Sequence, residues 1–243
     1  MRIAVISDVH SNLLALNAVL DHAGAVDAVW HLGDIVGYGP EPDAVVERLS
    51  AVGAIGVRGN HDAAASGGTE IEWFNPEARS AMEWTLGVIS EPTRSWLADL
   101  PERRTVADFT LVHGSGRDPT WEYVTSSAAA QSSLGAMRTR HGCNGHTHIP
   151  VGFFQVGERV GGVSPERGAS DGTISLADGR WLLNPGSVGQ PRDGDARASY
   201  LILDTEAGTA TWRRVAYDIA AVGRAMRAVG LPARLADRLR HGL

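Results

Sequence analysis

Residues 145–150 read GHTHIP, and two histidines one residue apart, His146 and His148, are a natural start for a metal site. In an extended segment residues i and i+2 point to the same side, so two imidazoles can address one spot. Asp8 and His10, in SDVHSN (7–12), repeat the spacing. Asp34 in GDIVGYG (33–39), Asn60 in GNHD (59–62) and His113 in HGSG (113–116) complete a set of two carboxylates, one amide oxygen and four imidazoles. One ion cannot use so many donors. Two ions about 3.5–4 Å apart, sharing a bridging carboxylate, can. Two divalent cations outweigh the two aspartates, which leaves a positive centre able to attract phosphate. The donors include no sulfur and much imidazole. That suits Mn2+, and also Fe, Zn, Ni or Co, better than Ca or Mg.

Such a set works only if the chain gathers it, and the elements before each cluster show how. RIAVIS (2–7), DAVWHLGD (27–34) and AIGVRGNHD (54–62) read as strands that end in polar turns. Between them LLALNAVLDHA (13–23), capped by Ser11 or Asn12, and residues 41–51, with Pro42 in the first turn, have helical spacing. This β-α-β-α-β alternation predicts a buried parallel sheet with its site at the carboxyl ends of the strands. FTLVHG (109–114) is a further strand and turn. Residues 75–100 read as two helices broken near Ser90–Pro92, and 126–140 as another. Beyond 150 the chain turns β-rich, with VGFFQV (151–156), TISL (173–176), RWLLN (180–184), ASYLILD (198–204) and TATWRRV (209–215). The expected organisation is one domain over residues 1–243. Within it 157–172 forms an exposed hairpin loop and 217–243 forms C-terminal helices.

Composition narrows the function. The formal net charge is -6, so no basic surface exists for wrapping extended nucleic acid. All 22 basic residues are arginine, which excludes lysine Schiff-base chemistry. Cys143 is the one cysteine; it reads as a packed residue, with no disulfide or thiolate zinc cluster to join. The opening MRIAVISDVHSN lacks the apolar core of a secretory leader, and no stretch approaches the ~18 apolar residues of a membrane span. A soluble, cytoplasmic protein with no membrane partner is the expectation.

The order D-x-H, GD, GNHD, H, G-H-x-H resembles the calcineurin-like metallophosphoesterase superfamily. HGSGRDPTWEY (113–123) and NPGSVGQPR (184–192) resemble its small bacterial and archaeal phosphodiesterases, a branch grouped with diadenosine-tetraphosphatase-like proteins. The resemblance implies an α/β fold, a four-layer α-β-β-α sandwich of two mixed β-sheets flanked by helices. It assigns Asp8, His10, Asp34 and His148 to one metal. The second takes Asp34, Asn60, His113 and His146, with Asp34 as the bridge. His61 becomes the proton donor or phosphate contact, oriented by Asp62, and Asn184–Ser187 abuts the metals. The implied activity is phosphoester hydrolysis by attack of a metal-bridging hydroxide on a small phosphate ester or nucleotide. Arg58 and Arg192 are candidates to grip the phosphate. Trp73, Phe74, Trp121 and Tyr123 lie where one can stack on a nucleobase. Alternatives are a Ser/Thr protein phosphatase, a dinucleoside-polyphosphate hydrolase, or a non-catalytic scaffold on the same fold. A scaffold would not need the intact donor set.

Overall fold

The computed structural model describes residues 1–69, 71–165 and 171–243. Alternation along the first strand explains the layering. In β1 (Arg2–Ile6), Ile3 and Val5 face an apolar cluster that contains Phe109, Leu111, Leu183 and Trp212 from both sheets. Ala4 and Ile6 face the opposite way, into a cluster built on helices. Both sides are buried, which is why the strand reads as a continuous apolar run.

Sheet A holds β1, β2 (Ala28–His31) and β3 (Ile55–Gly56) in parallel, then β11 (Ala198–Asp204), β12 (Thr209–Val215) and β9 (Asp171–Ser175) antiparallel, in the order β3-β2-β1-β11-β12-β9. Sheet B runs β4 (Arg103–Val106), β5 (Phe109–Val112), β6 (His141–Cys143), β10 (Arg180–Pro185), β7 (Pro150–Val156) and β8 (Arg159–Val163). The outer face of sheet A packs on α1 (Leu13–Ala23), α2 (Pro42–Ala51), α4 (Pro76–Val88), α5 (Glu91–Ala98), α7 (Ile219–Ala228) and α8 (Ala233–Leu239). Sheet B is covered by α6 (Ser127–Gly135), which contributes Ala130 and Leu134 to a cluster with Val112, Phe153 and Leu182. The result is the expected four layers of two mixed sheets between helices.

The helix starts follow local chemistry. The Asn12 side chain accepts a hydrogen bond from Ala15 N–H, so Asn12 caps α1. Asn75, Ser90, Ser126 and Asp218 do the same for α4, α5, α6 and α7.

Three segments depart from the sequence reading. GNHD, expected as a turn, opens the short helix α3 (Asn60–Ala65). The expected 157–172 loop carries strand β8, paired with β7; residues 166–170 of it lie outside the described residues. The edge strand β4 was not foreseen, because RRTV has no apolar run. Among the described residues no helix is long and apolar enough to cross a membrane.

Candidate metal centre

Each donor sits just beyond a strand's carboxyl end. Asp8 and His10 follow β1, Asp34 follows β2, and Asn60 opens α3 after β3. His113 follows β5, and His146 and His148 follow β6. Backbone bonds lace these loops together: Asp8 N–H donates to Gly33 O, His10 N–H to Asp34 O and Gly145 N–H to His113 O. The segment after β10 closes the ring, with Val188 N–H on Ser7 O and Gly189 N–H on Asp8 O. Asn184 Nδ2 donates to Gly145 O at 2.7 Å and to Thr147 Oγ1 at 3.0 Å, and Ser187 Oγ donates to Asp8 O at 2.8 Å. The NPGS block therefore fixes the turn that presents His146 and His148.

The geometry yields two groups of donors that meet at one carboxylate. Asp8, His10, Asp34 and His148 converge in one; Asp34, His113 and His146 converge in the other. His148 Nε2 lies 3.3 Å from Asp8 Oδ1, and His10 Nε2 3.7 Å from Asp34 Oδ2. His113 Nε2 lies 3.4 Å from Asp34 Oδ2 and 3.1 Å from Asn60 Oδ1, so Asn60 joins the second group. His146 and His148 thus serve neighbouring groups, where strand alternation predicted one shared spot. The cause is the backbone: both residues, like Asp8, His10 and Asp34, have positive φ, between 48° and 66°. Left-handed backbone at a non-glycine residue costs on the order of 1–3 kcal/mol and is found where function demands a particular aim.

Tautomers test whether a cation fits. His10 Nδ1 pairs with Val36 O at 3.1 Å, His113 Nδ1 with Leu32 O at 2.8 Å, and His148 Nδ1 with Gln190 O at 2.6 Å. His146 Nε2 pairs with Trp121 O at 3.2 Å. A carbonyl only accepts, so each ring donates there and turns its other nitrogen's lone pair inward. His10 Nε2 and His148 Nε2 then face each other at 3.2 Å, and His113 Nε2 and His146 Nδ1 at 3.0 Å. Opposed lone pairs at that separation repel unless a positive charge lies between them. Asp8 Oδ1 is likewise buried with no hydrogen-bond donor. The residues fit divalent metal ions.

Protons compete for the same places. Burial pushes Asp8 up to about 7. For His113 burial opposes the charge, but Asp34 and Asp8 outweigh it and raise the ring to about 9. For Asp34 burial is likewise outweighed, by His113, His61 and His10, and the carboxyl lies well below its ordinary value. Burial holds His10 and His148 well below the ordinary histidine value, and His146 at about 3.

Two glycines permit the crowding. A Cβ on Gly59 would lie 2.1 Å from Asp34 Oδ1, and one on Gly145 would lie 2.0 Å from Ser7 Oγ. Neither site admits a larger residue without displacing a donor loop.

The calcineurin-like phosphoesterase superfamily domain matches residues 1–208, which include every donor. The chain belongs to that superfamily. A metallophosphoesterase from Sphaerobacter thermophilus is 43% identical and superimposes with a TM-score of 0.90, covering 100% of both chains. An uncharacterized protein of Methanocaldococcus jannaschii is 36% identical, over 98% of this chain and 96% of its own. A hypothetical protein of Pyrococcus horikoshii shares the fold, with a TM-score of 0.80 at 18% identity. The protein is a metal-dependent phosphoester hydrolase.

In this metallophosphoesterase the remaining predicted residues divide. His61 borders the centre, its Nε2 4.0 Å from Asp34 Oδ2 and its ring between Tyr38 and Phe74, with centroids at 4.6 and 4.7 Å. Arg192 also borders it. The guanidinium meets only neutral oxygens, Gln190 Oε1 at 3.2 Å and Tyr38 OH at 3.5 Å, and its buried Nε has no partner. Two expectations need correction. The Asp62 carboxylate does not orient His61: Oδ1 accepts from Ile35 and Val36 N–H and Oδ2 from Gly59 N–H, so it braces the Asp34 loop against α3. Arg58 is directed at Ala98 O and Glu102, not at the phosphate position. His31 is buried and His141 lines a separate cavity of about 430 Å³ at the opposite end of the sandwich, which no metal donor reaches.

Sequence reasoning missed Tyr38 and gave Tyr123 only a stacking role. Tyr38 packs edge-on to His10 at 4.7 Å; its signal was a bulky residue between Gly37 and Gly39. Tyr123 lies flat on His146, centroids 3.8 Å apart, and so steadies a donor ring.

Proposed function

We propose that the chain hydrolyses phosphodiesters at a dinuclear centre. Asp8, His10, Asp34 and His148 would hold one ion and Asp34, Asn60, His113 and His146 the other. The observation that carries this reading is the pair of donor groups meeting at Asp34. Mn2+ is the ion that the family resemblance suggests, and the nitrogen and oxygen donors also admit Fe, Zn, Ni or Co. When bound, the ions supply Lewis acidity toward phosphate oxygens and draw a nucleophile from water at neutral pH.

The chain's own side chains do the rest. Arg192, with no carboxylate among its hydrogen-bond partners, offers its guanidinium to a non-bridging phosphate oxygen. Burial holds His61 at about 4, so the ring is neutral until an anion arrives beside it. A bound phosphate favours its protonated form, and His61 then passes that proton to the departing alkoxide. A Ser/Thr protein phosphatase reading gains nothing here, because Arg58, the second arginine it needs, turns away to Glu102.

The test is a Mn2+ assay panel of bis-p-nitrophenyl phosphate, p-nitrophenyl phosphate, cyclic nucleotides and diadenosine tetraphosphate, with metal analysis alongside. Diesters should turn over fastest and Asp34→Asn should lose both metal and turnover. His61→Gln should keep its metal yet slow by about 10²–10⁴-fold on poor leaving groups. Wild-type rates from His61→Gln on those substrates would end its role as acid.

A further inference from the structure

Beside the metal donors lies a cleft of about 250 Å³ with Asn60, His61 and His146 at one end and Trp73, Phe74 and Trp121 at the other. Trp73 and Trp121 also line the adjoining space of about 450 Å³, with Thr69. The two spaces share both indoles. No Asp, Glu or Arg lines either space among the described residues.

The two tryptophans are not spare core. Trp73 is 81% exposed and Trp121 37%, although each indole has a large apolar surface that a fold normally covers. Phe74 is buried between His61, at 4.7 Å, and the edge of Trp121, at 5.9 Å. Trp121 is tied down twice: its N–H donates to Asp118 Oδ1 at 3.0 Å, and its carbonyl accepts from His146 Nε2 at 3.2 Å. These two bonds hold the Trp121 backbone beside the metal edge, and the indole rests against Phe74. An exposed indole on the residue whose carbonyl holds a metal donor's ring offers a stacking surface beside the metal edge.

We infer that Trp73 and Trp121 stack on a nucleobase in the retained half of the phosphodiester whose phosphate sits at the metal donors. This inference rests on the hydrolase reading above and adds the substrate class to it. A diester that retains a methyl group would leave the indoles in water; one that retains a nucleoside covers them and gains about tenfold or more in affinity from one stacked base.

The experiment compares thymidine 5′-p-nitrophenyl phosphate with methyl p-nitrophenyl phosphate. They share a leaving group and a charge and differ only in the retained substituent. The expected result is a wild-type kcat/KM at least about tenfold higher on the thymidine ester, with that ratio collapsing toward unity in Trp73→Ala and in Trp121→Ala. Trp73→Phe should restore most of it. Quenching of tryptophan fluorescence by AMP, measured without turnover, should weaken about tenfold in Trp73→Ala. A ratio that survives Trp73→Ala and Trp121→Ala, or AMP binding equal in wild type and Trp73→Ala, overturns the stacking. Turnover of neither ester, with AMP still bound through Trp73, would overturn the hydrolase reading and leave the stacking standing.

Discussion

At the residue scale the molecule is governed by close approaches that only certain side chains permit. Gly59 has an ordinary extended backbone, so nothing conformational requires glycine there; what excludes a Cβ is Asp34, 2.1 Å away. Gly59→Ala should therefore fold yet lose metal, which elemental analysis of the purified variant will read. His31 shows a different constraint. It is fully buried, and burial outweighs a backbone hydrogen bond with Val57 and lowers it to about 3. The folded state keeps this ring neutral, whereas the unfolded chain takes a proton below about 6.5. Its contribution is intact above pH 6.5 and fades as pH falls toward 3, by roughly 1.4 kcal/mol for each unit. Urea melts of His31→Phe at pH 7, 6 and 5 should show a shallower acid loss than wild type; identical slopes would mean the unfolding protons bind elsewhere. Burial also raises the Cys143 thiol far above its ordinary value. Iodoacetamide should label it only after denaturant is added.

At the element scale the decisive joint is between α3 and the loop after β2. Asp62 accepts two backbone N–H bonds across it, from Ile35 at 2.8 Å and Val36 at 3.2 Å, and a third at 3.0 Å from Gly59, the residue that caps α3. Asp62→Ala strands those donors and should cost about 3 kcal/mol, read as a lower urea midpoint. Turnover should fall with it because the braced loop carries Asp34. Sequence reading saw both ends of this joint and misjudged the bond between them. Asp62 follows His61, so adjacency suggested a partner; in a helix, neighbours point different ways, and the N3 position aims a carboxylate back at the helix start. The strands of sheet A were legible because each is an apolar run ending at a polar turn. β4 and β8 were not, because a charged edge strand and a glycine-rich strand take their state from their neighbours, not from their own composition.

At the scale of the whole molecule the metal edge joins the two sheets. Asp8, His10, Asp34 and Asn60 come from sheet A, while His113, His146 and His148 come from sheet B. Ions bound there link the layers in the folded state alone. Removing them with chelator should lower Tm, and Mn2+ at about a hundred times its Kd should restore about 5–10 °C by mass action. In Asp34→Asn that response should shrink or vanish; an equal response would place the stabilising ion elsewhere. The donors were readable in sequence because strand ends collect at one edge of an α/β sheet. The pairing order of sheet B was not readable, because β10 sits between β6 and β7 through contacts far apart along the chain.

The left-handed backbone at Asp8, His10, Asp34, His146 and His148 has one more consequence. Glycine or asparagine would occupy those places more comfortably, so catalysis and robustness select opposite residues there. A library screened for heat resistance alone should drift toward glycine or asparagine at His148. Its most durable members would be the ones that no longer react.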